Sequence, residues 1–390
     1  MVHSEYYFFC GYPGRYYDYC SHDSWMASYD FKRRSFIQMM GISGGAGLAS
    51  STAAGTEDES DDAEPSEYDG TVVQVLSMGG TIASTPGEGG ASPSESGDAL
   101  IESVPELNDY ADEILVDQVT QLGSFNLEQG DVADLGEATR DVEDIADGIV
   151  VTHGTDTLEE SAYHLDLALD LDIPIIFTGA QRRPDEMSTD GPANLVTSFR
   201  AVTHDEIRSG VYIAFNEELH AARDVTKAHS SKLETFESPD KGPVAVFTRD
   251  DARLYREPRS YSVSLPALRP DKTVSIAASG QGMDDRQIQF AIDQGDDGLV
   301  LDGFGLGNTS ETLSDAVQNA IDNGVPVVVT SRTHAGTLNA IYGNGGGQTL
   351  QDHGALSGED FPAHKARIKL LLALEATSSM TELREYFGSW

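Results

Sequence analysis

From residue 71 onward, short runs of β-branched and aliphatic residues recur along the chain, each closing on glycine or a small polar residue. They are "TVVQVL" (71–76), "GIVV" (148–151), "IPIIFTG" (173–179), "VYIAFN" (211–216), "TVSIAA" (273–278), "DGLVLDG" (297–303) and "VPVVVTS" (325–331). Unbroken apolar runs of this kind predict strands buried on both faces, because successive side chains of a strand point to opposite sides of its sheet. Between them, "DLGEATRDVEDIADG" and "DRQIQFAIDQG" repeat apolar residues every three or four positions, the spacing of a one-sided helix. Strand and helix in alternation predict an α/β fold with parallel sheets covered by helices. Ligands of such sheets bind beyond the carboxyl ends of the strands.

The stretch "LYREPRSYSVSLPALRPDK" (254–272) breaks the alternation with three prolines and no helical period. It predicts a larger parallel-sheet α/β domain over residues 71–256, a linker at 257–272 and a smaller α/β domain over 273–390. The chain of 390 residues is long enough for each domain to hold its own core. No apolar run approaches the roughly 18 residues that a membrane helix needs.

The first 70 residues follow another pattern. "MASYDFKRRSFIQMMGISGGAGLAS" (26–50) places Arg33 and Arg34 ahead of a mildly apolar, Gly/Ala-rich segment and resembles a twin-arginine export signal. Residues 1–50 are therefore read as an N-terminal extension and signal, with Met26 as an alternative start, and residues 51–70 as an acidic linker. Export would place the protein outside the cytoplasm or at the cell surface, with no membrane association afterwards; without export it is cytoplasmic. No cysteine follows the apolar segment, which argues against a lipid anchor there.

Charge changes the picture further. The chain carries 65 acidic and 25 basic residues, a net of −40, and only 7 of the basic residues are lysine. Residues 1–55 hold four of each sign, so the remainder is 21 minus 61, again −40. The acidity belongs to the folded body, and it repels nucleic acid and anionic membranes. A surface rich in Asp and Glu and poor in Lys fits molar salt, where the Debye length falls to about 3 Å and self-repulsion is screened. The only cysteines, Cys10 and Cys20, precede the body. Within the body an intramolecular disulfide, a thiolate-bound metal and cysteine catalysis are thus excluded.

The candidate chemistry sits at strand ends. "GIVVTHG" runs into "TDTLEES", placing Thr155 and Asp156 where a strand gives way to a helix, with Thr157 and Glu160 at capping-box spacing. Amides at such an edge can bind an anion, although Asp156 alone reads equally as a helix cap. "TVVQVLSMGGTIAST" delivers Thr81 in the same way past two glycines, which let a ligand approach the backbone and offer amides to a developing oxyanion. "ARDVTKAHSSK" supplies Lys227 after the strand "VYIAFN". A lysine in a partly dry site loses basicity and can take a proton from a hydroxyl, help that a threonine nucleophile needs.

Taken together, "GGTIAST", "HGTDTLEESAYHLDL", "TGAQRRPDEMSTDGPANL", "ARDVTK" and "GFGLGN" resemble, in this order, the bacterial-type L-asparaginase family over about residues 71–390. The resemblance implies an amidohydrolase that splits L-asparagine into L-aspartate and ammonia. It further implies no cofactor or metal, and a homodimer or homotetramer of two-domain α/β subunits. Carried over by motif, Thr81 is the nucleophile, and Thr155, Asp156 and Lys227 are the group that activates hydroxyl and water. Asp156 also meets the substrate's α-ammonium, Ser124 in "QLGSFN" its α-carboxylate, and the Ala180 carbonyl the departing ammonia.

The chain departs from the family in several places. Its lid after GGTIA, "STPGEGGASPSESGDALI", lacks the tyrosine that usually contacts the nucleophile, leaving Ser92, Ser94, Ser96 or a tyrosine from elsewhere to take the space. Phe125 follows Ser124 where many members are polar. For the polar groups that a neighbouring protomer lends, the candidates are Gln281, Asp284 and Tyr342. His153 reads as structural, and "NGGGQTL" (344–350) as a turn or protomer contact, since it lacks the ending of a phosphate loop. Two other functions stay open: the asparaginase-like subunit of an archaeal tRNA-dependent amidotransferase, and a non-catalytic amino-acid-binding protein.

Overall fold

The computed structural model describes residues 70–390. The readings of Cys10, Cys20, the Arg33–Arg34 signal and the linker through residue 69 lie outside the described residues. Eight strands form the sheet of the larger domain. β1 (Val72–Gly79), β4 (Glu113–Leu122), β5 (Gly148–Thr152), β6 (Pro174–Thr178) and β7 (Gly210–Phe215) run parallel. β8 (Glu218–Ala221), β11 (Ala245–Phe247) and β12 (Ala252–Leu254) extend them antiparallel, in the order β12-β11-β8-β7-β6-β5-β1-β4. Two short hairpins stand apart: β2 (Ser84–Thr85) with β3 (Ser92–Pro93), and β9 (Thr226–Lys227) with β10 (Phe236–Glu237).

The apolar runs are continuous because this sheet buries both faces. Val73 and Val75 of β1 point into one core, Leu76 and Met78 into the other; Ile176 of β6 opposes Ile175 and Phe177 in the same way. Each such side chain contributes about 1.5–3 kcal/mol of transfer free energy. Helices α1 (Gly97–Glu102) and α4 (Gly191–Val202) cover the first core; α2 (Gln129–Asp141) and α3 (Leu158–Ala168) cover the second.

The smaller domain repeats the plan with four parallel strands, β13 (Val274–Ala278), β14 (Gly298–Gly303), β15 (Val327–Ser331) and β16 (Leu356–Ser357). α5 (Arg286–Gln294), α6 (Glu311–Asp322) and α7 (Gly347–Asp352) pack on one face, α8 (Ala363–Ala376) and α9 (Met380–Tyr386) on the other. The molecule is a two-domain α/β fold. Residues 255–273, between β12 and β13, hold neither strand nor helix.

α3 joins the domains. Leu158, Ala162 and Leu165 face the larger domain's core, while Tyr163 and Leu167 face the smaller one's, against α8 and Phe361. The proline-bearing segment is strapped to the same helix: Leu265 N donates to Leu167 O at 2.7 Å, and His164 Nε2 lies 2.7 Å from Leu268 O. Burial lowers His164 to about 4 against the raising effect of that carbonyl, so the ring is neutral and donates.

The expected capping box does not form. Thr157 takes the N-cap position, but its hydroxyl donates instead to Ser124 O at 2.9 Å, in the neighbouring strand-end turn. That bond ties the turns after β4 and β5 together.

Candidate active site

The turns after β1, β4 and β5 meet backbone to backbone. Gly79 and Gly80 have φ of +92° and +83°, which suits glycine. A Cβ on Gly79 would stand 2.8 Å from Leu122 O, one on Gly80 2.3 Å from Gly154 Cα, and one on Gly154 2.6 Å from Ser124 Oγ. On the side where a Cβ would stand, the two glycines bring three loops together, while Gly80 also lines a cavity beside them, as expected of a backbone that a ligand can approach. His153 completes the arrangement: its Nδ1 lies 2.7 Å from Gly154 O in full burial. Burial lowers its pKa to about 4, the Gly154 carbonyl opposing, so a neutral ring donates to the turn.

These turns line a cavity of about 360 Å³ that brings together Thr81, Ser124, Thr155 and Asp156. Thr81 opens the short 3-10 turn Thr81–Ala83, and Ser124 the turn Ser124–Asn126. Ser124 Oγ accepts from the Asp156 amide at 3.2 Å, so this amide is already engaged within the protein. Lys227 does not line the cavity but reaches both groups that do: its Nζ donates to Thr155 Oγ1 at 2.9 Å and to Asp156 Oδ1 at 2.7 Å. Its side chain is 14% exposed, whereas that of Asp156 is 56% exposed and open to a ligand. Hydroxyl, amine and carboxylate thus form one hydrogen-bonded chain across 72 residues of sequence.

Ala180 is not among the residues that line the cavity. It is fully buried beyond β6, in the same core cluster as Ile82. The loop that follows is held by Asp190, whose carboxylate accepts from the amides of Gln181 and Arg182, each at 2.9 Å. Of the three lid serines, only Ser92 lines the cavity. Ser94 bonds to Thr85 and Ser96 caps α1. Gln281, Asp284 and Tyr342 are exposed on the smaller domain and outside the cavity. Of the glycine-rich segment, residues 344–346 form a turn in which Gly346 packs its backbone on Tyr342, but residues 347–350 open helix α7 and are not part of that turn.

Sequence reasoning passed over several lining residues: Gln121, Asn126 and Arg183, the last paired with Asp185 and Glu186 at the rim. Phe125 also lines the cavity while 73% exposed. A second cavity of about 320 Å³ lies near Arg223, Asp302 and His364. Its charges are matched among themselves, as in Arg223–Asp360 and Lys241–Asp360, and it lacks Thr81 and Thr155. The two candidate threonines line the first cavity alone. Among the described residues no group of His, Cys, Asp and Glu is arranged to hold a metal ion, and no helix is long and apolar enough to cross a membrane.

Comparison with known proteins decides the family. Residues 72–260 match the model of the asparaginase N-terminal domain, and residues 273–387 that of the glutaminase/asparaginase C-terminal domain. The chain belongs to the asparaginase family of enzymes. Among asparaginase relatives, L-asparaginase 2 of Bacillus subtilis is 30% identical over 82% of this chain and 86% of its own length. The probable L-asparaginase of Deinococcus radiodurans is 33% identical over 80% and 96%. A glutamyl-tRNA(Gln) amidotransferase subunit of Methanococcus maripaludis is 32% identical over 77% of this chain and 75% of its own. The crystal structure of a probable cytoplasmic L-asparaginase from Campylobacter jejuni superposes with a TM-score of 0.73 at 29% identity, covering 81% of this asparaginase-family chain and 98% of that one.

Proposed function

We propose that the chain is an L-asparaginase that hydrolyses L-asparagine to L-aspartate and ammonia through an acyl-threonine intermediate. The observation that carries this reading is the convergence of Thr81, Ser124, Thr155 and Asp156 on one cavity, with Lys227 bonded to two of them. At about 360 Å³ the cavity lies at the small end of ligand pockets, which span about 300–1,000 Å³, and suits a single amino acid.

In this reading Thr81 Oγ1 attacks the amide carbon and the oxyanion rests on backbone N–H groups. The Thr155–Lys227 pair manages the protons, and the amide nitrogen leaves as ammonia. Water, activated by the same pair, then attacks the ester and frees aspartate from Thr81. Asp156, largely exposed, faces the α-ammonium, and Ser124 the α-carboxylate. The test is ammonia release by the purified chain in molar salt, asparagine against glutamine. Release from asparagine is the expected result, and none from either substrate would sink the reading.

A second reading, the ammonia-supplying component of a tRNA-dependent amidotransferase, is favoured by the amidotransferase relatives. Ammonia release without a partner separates the two. A binding protein without turnover has no use for two hydroxyls and a lysine; calorimetry showing asparagine bound and no aspartate formed would favour it. The proposal extends to export by the twin-arginine route, tested by fractionating cells that carry Arg33→Lys. It also extends to a homodimer or homotetramer, read by light scattering, and to adaptation to molar salt.

A further inference from the structure

Lys227 is carried on a two-residue strand in a connecting segment, the kind of backbone that is ordinarily mobile. Here two buried charges grip that segment. Glu159, in the first turn of α3, accepts from the Lys227 amide at 2.9 Å and from the Thr226 hydroxyl at 3.3 Å. Lys365, in the first turn of α8, donates to the carbonyls of Ala222 at 2.8 Å, Arg223 at 3.2 Å and Val225. The second oxygen of Glu159 lies 3.9 Å from Lys365 Nζ and 3.0 Å from His364 Nε2, a charge contact bent away from hydrogen-bond alignment. The backbone that carries the lysine is thus tied to one carboxylate and one ammonium, and the ammonium belongs to the smaller domain.

Stability alone is a poor reason for such a pair. Burial pushes the Glu159 carboxyl up, but His364, Lys365 and the Lys227 amide outweigh it and lower it to about 2. Burial lowers Lys365 to about 8, with Glu159 and Asp224 opposing. A hydrophobic pair of equal volume is often as stable as a buried ion pair or more so, which points to a task of placement. Lys227 Nζ must meet Thr155 Oγ1 and Asp156 Oδ1 together, at 2.9 and 2.7 Å, and a misplacement of about 1 Å can cost about 100-fold in rate.

We propose that Glu159 and Lys365 form a buried clamp that positions Lys227 against Thr155, so that helix α8 of the smaller domain serves the hydrolysis through the lysine's backbone. The clamp rests on the asparaginase reading above. Neither residue lines the cavity, so both are positioning residues, and His364 holds the second oxygen of Glu159 in place.

The test uses the full chain in molar salt. Glu159→Gln keeps the side chain's size and an acceptor for the Lys227 amide, but turns an NH₂ toward two donors, His364 and Lys365. Its kcat for asparagine is expected to fall about 10- to 100-fold. KM, and the Kd for aspartate by calorimetry, should stay within about threefold, because Ser124 and Asp156 keep their places. His364→Gln, on a side chain 36% exposed and safer for folding, should lower kcat about threefold to tenfold with the same split. A folded Glu159→Gln chain with kcat within about twofold of the parent overturns the clamp, as does a kcat loss matched by equal weakening of aspartate binding. If Glu159→Gln does not fold, an unchanged kcat in His364→Gln overturns it. A parent chain that releases no ammonia overturns the asparaginase reading itself, which separates the two failures.

Discussion

Thr81 and Thr155 both stand at the exit of a buried parallel strand, and their surroundings divide the work between them. Thr155 is buried and its hydroxyl is bonded to Lys227, the arrangement that the proposed proton path requires. Thr81 is half-buried and lines the same cavity without that tie, which suits the nucleophile of the proposed mechanism. Thr81→Val keeps the branched shape while replacing the hydroxyl by a methyl group. Turnover should fall about a thousandfold or more with an unchanged circular dichroism spectrum; residual hydrolysis within about tenfold of the parent would refute the nucleophile's role. Thr81, Thr155, Asp156 and Lys227 stood out as candidates in short motifs near strand ends, whereas Ser124 and the roles of all five came only with the family resemblance. Arg183 was not legible, since its place depends on the course of a loop, and Phe125 was noted only as a departure from the family beside Ser124. Glu159 stood in plain view in "HGTDTLEES", but a carboxylate in the first turn of a helix that also carries Glu160 and Asp166 gave no local sign that it would be buried.

Among the elements, fully buried strands were the easy ones to read, since two apolar faces leave an unbroken run. β4 is ten residues at the sheet's edge, and its "EILVDQVTQL" mixes exposed carboxylates and amides with half-buried aliphatics. It therefore shows no unbroken apolar run and does not read as a strand. The antiparallel strands β8, β11 and β12 were missed for a similar reason: at three or four residues they are too short to show a period. α3 supplies a test at this scale. Burial raises its Asp166 carboxyl from the ordinary 3.8 to about 6, the hydroxyls of Ser262 and Ser260 opposing. The folded state thus keeps a proton that the unfolded chain releases, so the stability contributed by this group is fully present below pH 3.8 and lost as pH rises through about 6. Asp166→Asn has no proton to lose. The melting temperature of the variant relative to the parent should climb between about pH 4 and 6 and level off above, in scanning calorimetry at fixed salt. A difference that stays flat across that range would refute the burial argument.

For the whole molecule, charge sets the conditions under which the rest can work. The body carries a net −40, and the proposed adaptation to molar salt requires that self-repulsion be screened. Dialysis from about 3 M to about 0.05 M salt should loosen the fold, seen as a fall in the circular dichroism signal and a broadened melt. Full structure in dilute buffer would refute the adaptation. That reading was open to the sequence, since composition alone carries it, whereas the joining of the domains was not: the period of α3 cannot tell which partners its two sides will meet. Its consequence bears on engineering. A helix walled in by both halves, with an ammonium from one half holding the lysine's segment in the other, leaves no excisable catalytic module. Shortening the protein to its first half would strip Tyr163 and Leu167 of their cover and release the grip on residues 222–225. A chimera that exchanges C-terminal halves between relatives must therefore carry a matching α8 face, or it will trade away turnover even where it folds.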